Sequence, residues 1–313
     1  MTATAPLRLA VGLISAATIA AVLTAAGTTP MGPAVGTLAE LWQDPVDLET
    51  RDLRWGSGGQ ALAPSPNVEY TFTALDVTGF SSGYDVVGPD GRAWDVKVGV
   101  EAQSEVVASR LLWAVGYRQP MVHFVPEWKL KNGPVPTPAG GRFRLESDHT
   151  IAGDWPWQDN PFEGTRQLRG LVVANLLINN WDLKTTNNKI LMMSAAPGSR
   201  RWFTVQDLGA SFGKTAWPLG SRNNLADYET QGFVLSAHGG RVQFDYHARH
   251  RELLDAITTA DVVWISQLFA RLTDRQWADA FQAAAMPADI SARYIRKLKS
   301  KVQEGLALRG HGK

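Results

Sequence analysis

The sequence NNWDLKTTNN, residues 179–188, directly follows the apolar run LVVANLLI and gathers four asparagines, one aspartate and one lysine around a single tryptophan. A surface turn would explain these residues, because Asn and Asp favour turns. The neighbouring segments favour a second explanation. The apolar run is typical of a buried helix, and KILMM and RWFTV, which follow, are typical of two strands joined by a turn. The polar cluster therefore lies where a buried helix gives way to a hairpin.

This hairpin is predicted to bring two oxygen ligands together. A turn centred on Pro197 places Asn187 directly opposite Asp207. Opposed residues have Cβ atoms about 5 Å apart, which is close enough for an amide oxygen and a carboxylate to hold one metal ion. Asp182 and Lys184 lie in the loop that enters the same strand. Phosphoryl transfer requires this set: a carboxylate for a hydroxyl, a cation for the moving group and oxygen ligands for Mg²⁺.

A second group of residues, in the N-terminal half, has the features of a phosphate site. Around the turn GPDG, Lys97 is predicted to lie opposite Ser82, within the loop TGFSSG. Free backbone N–H groups beside one ammonium form a cradle for phosphate. The loop residues of this predicted cradle are Gly79, Ser81, Ser82 and Gly83.

A lysine at this position needs an anion to fix it, and the following helix, VEAQSEVVASRLLWAVGY, offers Glu101 and Glu105. Glu105 shares the apolar stripe of Ala108 and Leu112 and therefore faces the interior. Glu101 lies near the helix start, where the helix dipole alone would explain it. Because a buried carboxylate is costly without a cation, we predict an ion pair between Lys97 and Glu105.

The order of these segments predicts an α+β protein with two lobes. Short runs rich in β-branched and aromatic residues indicate a small antiparallel β lobe over residues 67–148, with one helix that ends at Gly116. Helical periodicity dominates residues 149–313. Residues 31–66 are rich in proline and are interpreted as a linker, with at most one short helix near TLAELWQ.

Residues 1–30 contain the apolar stretch LRLAVGLISAATIAAVLTAAG, which is typical of an export signal or a single membrane anchor. Its length is close to the lower limit of about 17 residues for a bilayer span, so cleavage and anchoring both stay open. Arg8 precedes the run and the flank beyond it is mainly acidic, which places the body of the protein outside the cytoplasm. A buried core helix is the alternative interpretation.

Composition excludes several classes of protein. The chain has no cysteine, which rules out disulfides, thiolate metal sites and thiol nucleophiles. Its formal net charge of +1 over 313 residues provides no field that would attract nucleic acid. The sequence shows no Ser/His/Asp set in a context that supports hydrolysis. Function must therefore be argued from the polar clusters.

These clusters resemble the motifs of the protein-kinase fold. DLKTTN is similar to its D-x-K-x-x-N catalytic loop, QDLG resembles its D-F-G metal site, and VKV followed by a helical Glu resembles its lysine and glutamate pair. No His-Arg precedes Asp182, and Lys97 is close to the helix. Both features resemble the atypical kinases, namely secretory-pathway casein kinases, bacterial HipA-type kinases and phosphoinositide lipid kinases. The motifs occupy residues 70–213, and TGFSSG departs most from a regular G-x-G-x-x-G.

The resemblance implies ATP as the cofactor, together with Mg²⁺ or Mn²⁺. Asp182 would act as the base-like residue and Lys184 would contact the γ-phosphate. Asn187 and Asp207 would bind the metal, and Lys97 would hold the α- and β-phosphates. The partners would be the nucleotide and a hydroxyl group of a protein or a small-molecule acceptor.

Two alternatives use the same cleft. One is a catalytically silent nucleotide-binding domain, a pseudokinase or scaffold. A silent site, however, has no chemical need for all five polar residues that the resemblance assigns: Lys97, Asp182, Lys184, Asn187 and Asp207. The other is transfer of AMP with the nucleotide reversed, which the mass of the product would identify.

Two further features carry weaker hypotheses: HARH, from His247 to His250, is interpreted as a solvated helical pair, and Trp155 and Trp157 as packing residues.

Overall fold

A six-stranded sheet with one helix forms the N-terminal lobe, and helices together with two small sheets form the C-terminal lobe. The computed structural model describes residues 37–76, 80–81, 83–133, 140–194 and 200–310. The predicted α+β fold class is confirmed. Across these described residues, we find no helix with the length and apolar character needed to cross a bilayer. Residues 1–30, interpreted as an export signal or anchor, lie outside the described residues.

Neighbouring strands of the N-terminal sheet are antiparallel, apart from one parallel pair at its edge. The strands are β1 (Glu69–Asp76), β2 (Gly83–Val87), β3 (Ala93–Val98), β4 (Val122–Val125), β5 (Lys129–Lys131) and β6 (Gly141–Leu145). They lie in the order β4-β6-β3-β2-β1-β5, with β1 and β5 parallel. Helix α1 (Glu101–Ala114) follows β3 after a short turn.

The two faces of this sheet differ in chemistry, because successive side chains along a strand point to opposite sides. One face buries a set of apolar side chains: Tyr84, Val86, Trp94, Val96, Phe143 and Leu145. The opposite face carries charged residues of β3 and β6. In the register of these strands Asp95 lies opposite Arg144, and Lys97 lies opposite Arg142. A row of charges therefore crosses the face that meets α1.

Helix α1 is buried around most of its surface, including the side chains of Val106, Leu111 and Leu112, which are fully shielded from solvent. The chain turns away at Gly116, whose φ of +102° favours glycine. A Cβ atom at this position would also lie 2.3 Å from the backbone oxygen of Gln43. The helix thus ends where the sequence predicted.

The C-terminal lobe combines two small antiparallel sheets with helices. Its strands are β7 (His149–Asp154), β8 (Asn188–Met193), β9 (Arg200–Val205), β10 (Val234–His238) and β11 (Arg241–Phe244). Its helices are α2 (Arg166–Leu177), α3 (Leu225–Thr230), α4 (Thr259–Ala270), α5 (Asp274–Gln282) and α6 (Ala288–Ala307). Strands β7, β8 and β9 form one sheet, and β10 pairs with β11. The main hydrophobic core joins α1 to these helices.

The predicted register of the first hairpin is wrong by one residue. Lys97 lies opposite Gly83, whereas the sequence analysis placed it opposite Ser82, which is outside the described residues. The reason is the length of the turn. Strand β2 ends at Val87, and the backbone N–H of Gly88 donates to the backbone oxygen of Arg92. The loop between Gly88 and Arg92 therefore has three residues. Its last residue, Gly91, has a φ of +80°, as in three-residue hairpin loops that end in the left-handed region.

The second hairpin also differs from its predicted register by one residue. Asn188 pairs with Val205, and the backbone N–H of Gln206 donates to the oxygen of Asn187 at 2.7 Å. Asn187 therefore lies opposite Gln206 rather than Asp207. Asp207 follows in a left-handed conformation with a φ of +50°, which turns the chain away from the ladder. The two proposed metal ligands are neighbours across the hairpin without being a directly opposed pair.

The segment interpreted as a linker is partly folded onto the body of the protein. Residues 37–66 contain three short 3₁₀ turns, at Leu38–Glu40, Leu48–Thr50 and Gln60–Leu62. Leu48 and Leu53 are both 0% exposed and belong to the main core. The linker interpretation is wrong for this part of the segment: its prolines exclude long helices but leave its leucines free to pack.

We expect Leu48→Ala to lower the free energy of unfolding by about 3 kcal/mol, because it removes buried methyl groups and leaves a cavity. Val46→Ala is the matched control, since Val46 is 82% exposed and its truncation should change stability by less than about 0.5 kcal/mol. Urea unfolding measures both values. Equal effects of the two substitutions would show that residues 37–66 do not pack as described.

Candidate active site

Lys97 is the centre of a charged cluster that joins the two lobes. Its ammonium Nζ donates to Oδ1 of Asp207 at 2.7 Å and lies 3.2 Å from Oε2 of Glu105. A third carboxylate, that of Glu101, lies 4.0 Å away. The predicted ion pair between Lys97 and Glu105 is present. The contact with Asp207 was not predicted, and it connects β3 to the segment that follows β9.

Two arginines of β6 complete the cluster. Nε of Arg142 lies 3.0 Å from Oε1 of Glu105, and its Nη1 lies 3.3 Å from Oδ1 of Asp95. Arg144 forms a close ion pair with Asp95 as well. Arg142 is 1% exposed, so its charge is held almost entirely within the protein. Sequence reasoning missed these arginines, although the alternation in GRFRLE could have placed both on the face that carries Lys97.

The cluster keeps its central groups ionised. Burial alone would lower the pKa of Lys97, but the carboxylates of Glu105 and Asp207 outweigh it and raise that pKa above its ordinary value. Burial likewise favours the protonated form of Asp207. The positive charges of Lys97 and Arg144 outweigh this effect and hold the pKa of Asp207 well below its usual range. The Asp207 carboxylate is therefore an anion at neutral pH.

The asparagines of NNWDLKTTNN explain why a polar cluster can follow a buried helix. Asn179, Asn180, Asn187 and Asn188 are at most 5% exposed. Each side chain donates to a backbone or side-chain oxygen: at Gly213 for Asn179, Asn175 for Asn180, Asp182 for Asn187 and Trp155 for Asn188. Buried polar groups require such partners. These asparagines hold the loop in shape, which is a different explanation from a surface turn.

This loop presents Asp182 and Lys184 as an ion pair, with Nζ of Lys184 2.9 Å from Oδ2 of Asp182. The Lys184 side chain is 42% exposed, and that of Asp182 is 13% exposed. The amide nitrogen of Asn187 donates to the backbone oxygen of Asp182 at 2.8 Å, so its amide oxygen is the atom left for a cation. The backbone oxygen of Asn187 accepts from the N–H group of Gln206, the residue directly before Asp207. A continuous series of contacts thus connects Asp182 to Lys97.

The predicted phosphate loop is described only in part. Gly79 and Ser82 lie outside the described residues. Gly83 begins β2 beside Lys97, and the hydroxyl of Ser81 donates to Oε2 of Glu101 at 2.8 Å. Ser81 therefore contacts the start of α1. Whether these residues bind phosphate stays a prediction.

Glu101 has a larger role than the helix dipole that the sequence analysis assigned to it. Besides Ser81, it meets Nε of Arg222 at 2.7 Å. The guanidinium of Arg222 lies 3.9 Å from the ring centre of Phe80 and 4.6 Å from that of Trp181. These contacts join the β1–β2 loop, α1 and the segment after Asp207. No sequence motif pointed to Arg222.

Two other features have structural explanations. His247 pairs with Asp245 and His250 pairs with Glu252, each at 2.9 Å. The segment between the two histidines is irregular, so the prediction that they lie on a helix is wrong. Trp155 and Trp157 are buried and pack together, with ring centres 5.3 Å apart. The packing role predicted for these tryptophans is confirmed.

No protein-family model matches the sequence, and no curated protein matches it. Among solved structures, the chain is similar to a Helicobacter pylori proinflammatory kinase, CtkA, with 11% sequence identity and a TM-score of 0.45. The match covers 77% of this chain and 95% of that one. A likeness of this extent assigns no function.

Proposed function

We propose that the protein is a phosphotransferase that uses ATP and a divalent metal to phosphorylate a hydroxyl group of a protein or small molecule. The observation that carries this proposal is the contact of Lys97 with both Glu105 and Asp207. It places a largely shielded cation, 13% exposed, between a helix of one lobe and a carboxylate of the other. Such an arrangement suits a triphosphate that binds between lobes, because phosphates require fixed positive charge in a shielded site.

In the proposed complex, the phosphates would take the place of Asp207 as the anion beside Lys97. Asp207 would then be free to bind a metal together with the amide oxygen of Asn187. Mg²⁺ often binds through one or two protein oxygens, with substrate phosphates and waters as its other ligands. The described residues contain no group of three or more histidine and acidic side chains suited to a metal. The metal would neutralise charge on the phosphates.

Asp182 and Lys184 are the residues proposed to act on the reacting groups. The Asp182 carboxylate would accept the proton of the attacking hydroxyl or orient that hydroxyl. The Lys184 ammonium, which is half exposed, would contact the γ-phosphate. Their ion pair at 2.9 Å keeps both charges at the same edge of the loop.

The proposal also retains the predicted location outside the cytoplasm.

A catalytically silent nucleotide-binding or scaffold domain is the second candidate. One observation favours it: the Lys97 ammonium donates to Oδ1 of Asp207 at 2.7 Å, so the two groups neutralise each other's charge without a ligand. Nucleotide binding and turnover therefore have to be measured separately. AMP transfer from the same cleft would be recognised by the mass of its product.

We expect ATP with Mg²⁺ or Mn²⁺ to raise the melting temperature of the protein and Asp207→Ala to abolish that rise. A ligand at a hundredfold excess over its dissociation constant adds about 2.7 kcal/mol to stability. Asp154→Ala is the matched control, because Asp154 pairs with Lys189 on β8, outside the Lys97 cluster.

Metal-dependent stabilisation that Asp207→Ala removes and Asp154→Ala preserves would support the nucleotide site. Incubation with labelled ATP and mass spectrometry of the product would then separate phosphoryl transfer, AMP transfer and silent binding. Wild-type protein that no nucleotide stabilises would overturn the proposed function.

A further inference from the structure

Trp181 connects the loop that presents Asp182 to a surface of aromatic and cationic side chains. The ring centre of Trp181 lies 4.6 Å from the guanidinium of Arg222, which also lies 3.9 Å from the ring centre of Phe80. Trp181 also packs against Trp217, with ring centres 6.1 Å apart. Because Trp181 directly precedes Asp182 in the chain, this surface begins next to the residues proposed to act on the reacting groups.

Much of this surface is both apolar and exposed. Phe80 is 70% exposed, Trp217 is 46% exposed and Leu219 is 87% exposed. The segment that carries Trp217 and Leu219 lies close to Trp181, because a Cβ atom at Gly220 would be 2.6 Å from that ring. Large apolar side chains that are exposed together, rather than singly, indicate an interaction site.

The same surface carries positive charge that the protein does not neutralise. The guanidinium of Arg249 lies 3.8 Å from the ring centre of Trp217, and Arg249 makes no ion pair within the described part of the chain. Lys214 is also exposed and has no carboxylate partner among the described residues. Residues 208–226 contain no Asp or Glu at all. This surface therefore complements an anionic partner.

We call these residues the aromatic platform: Phe80, Trp181, Lys214, Trp217, Leu219, Arg222 and Arg249. A groove of about 810 Å³ lies next to it, with Leu235, Tyr246 and His247 among its walls. The backbone N–H of Trp217 donates to the backbone oxygen of His247 at 2.8 Å, which joins the groove to the platform. The groove carries charges of both signs, so the preference for an anion comes from the platform.

We propose that the aromatic platform docks a segment of a protein that carries acidic and aromatic side chains, and that this protein is the hydroxyl acceptor. The acceptor role rests on the proposed phosphotransferase function. Aromatic residues and arginine are enriched in protein interfaces and supply much of their binding energy. Apolar side chains of the partner would cover Trp217 and Leu219, and its carboxylates would pair with Arg249 and Lys214.

A protein segment fits this surface better than a small molecule does. Small molecules bind in concave pockets that enclose most of their surface. The platform instead exposes its side chains, and the adjoining groove gives room for an extended chain. A partner held by Trp217 and Arg249 would have its hydroxyl close to Asp182, because the Trp217 ring packs against Trp181.

The test is the binding of three fluorescent nonapeptides to the full chain, measured by fluorescence anisotropy without nucleotide. The first peptide is Glu-Glu-Phe-Gly-Ser-Gly-Phe-Glu-Glu. The second has Lys in place of each Glu, and the third has Ala in place of each Phe. We expect the first peptide to bind and each of the others to bind at least about tenfold more weakly, because each lacks one of the two chemistries that the platform recognises.

Variants at exposed positions locate the bound peptide without disturbing the core. Arg249→Ala should weaken binding of the first peptide by about tenfold, and Leu219→Ala by about threefold. Arg275→Ala is the matched control for the arginine, since its side chain is 90% exposed on α5, and Val46→Ala is the control for the leucine. No binding of the first peptide, equal binding of the Glu and Lys peptides, or full binding by Arg249→Ala would overturn the proposal.

The docking and the proposed function fail in different ways. Lys97→Met should keep peptide binding but lose transfer of labelled phosphate from ATP to the serine of the first peptide. Peptide binding that Arg249→Ala weakens, in a protein that no nucleotide stabilises, would support the docking surface and overturn the acceptor role. Stabilisation by ATP and metal, together with equal binding of the Glu and Lys peptides, would support the proposed function and overturn the docking.

Discussion

Lys97→Met should reduce phosphoryl transfer from ATP by about 10²–10³-fold, the loss that follows when one fixed charge is removed from a shielded site. The Lys97 side chain is 13% exposed and holds two carboxylates within 3.2 Å. Methionine has a similar length but no charge, so Glu105 and Asp207 would lose their shared cation. Breaking a buried ion pair in this way should also lower stability by about 3 kcal/mol.

Lys189→Met is the matched control for this substitution. Lys189 also lies on a strand and pairs with a carboxylate, that of Asp154 at 2.6 Å, but it is outside the cluster. Its loss should change turnover less than about twofold, as for an ordinary surface substitution. Transfer of labelled phosphate and urea unfolding measure the two effects. A folded Lys97→Met protein with the activity of the control would falsify the role proposed for Lys97.

The ion pair of Lys97 with Glu105 was predictable because it depends on local periodicity. An interior-facing glutamate on a helix that starts just after the lysine has few other cations within reach. Both hairpins were also predictable as elements, but each register was wrong by one residue. Register depends on the length and backbone geometry of the turn, as at Gly91, and a sequence of turn-forming residues leaves one-residue alternatives open.

The rest of the site depends on contacts between segments that are distant in sequence. Asp207 reaches Lys97 across 110 positions, and Arg222 reaches Glu101 from a segment that has no motif. The folded part of residues 37–66 is similar: Leu48 packs in a core that contains side chains of both lobes. Local patterns specify which residues face inward, and tertiary packing decides which of them meet.

A buried lysine beside the loop of residues 179–188 is the basis of the second prediction with a large expected effect. Lys301 of α6 is 0% exposed, and its Nζ donates to Oδ1 of Asn179 at 2.5 Å. It also lies 3.4 Å from the backbone oxygen of Leu177 and 4.6 Å from the ring centre of Tyr228. Burial lowers the pKa of Lys301 from 10.5 to about 7, and the positive charge of Lys297 acts in the same direction.

The sign of the pH effect follows from this lowered pKa. Between about pH 7 and pH 10.5 the unfolded chain keeps a proton that the folded chain releases, so wild-type stability rises with pH across this window. Each pKa unit corresponds to about 1.4 kcal/mol, which gives a total of roughly 5 kcal/mol. Lys301→Met should remove this rise. Its stability should be nearly constant between pH 7 and pH 10.

At pH 7 the variant avoids most of the cost of burying a charge, but it leaves the oxygens of Asn179 and Leu177 without their donor, which costs about 1–3 kcal/mol. We therefore expect Lys301→Met to be more stable than wild type by about 2 kcal/mol at pH 7 and less stable near pH 10, where wild type regains its stability. Urea unfolding at a series of pH values would show this crossover. Lys299→Met, on the same helix with a 41% exposed side chain, should follow the wild-type curve. Parallel curves for Lys301→Met and wild type would mean that Lys301 stays charged in the folded protein and that its contact with Asn179 is a buried charged hydrogen bond.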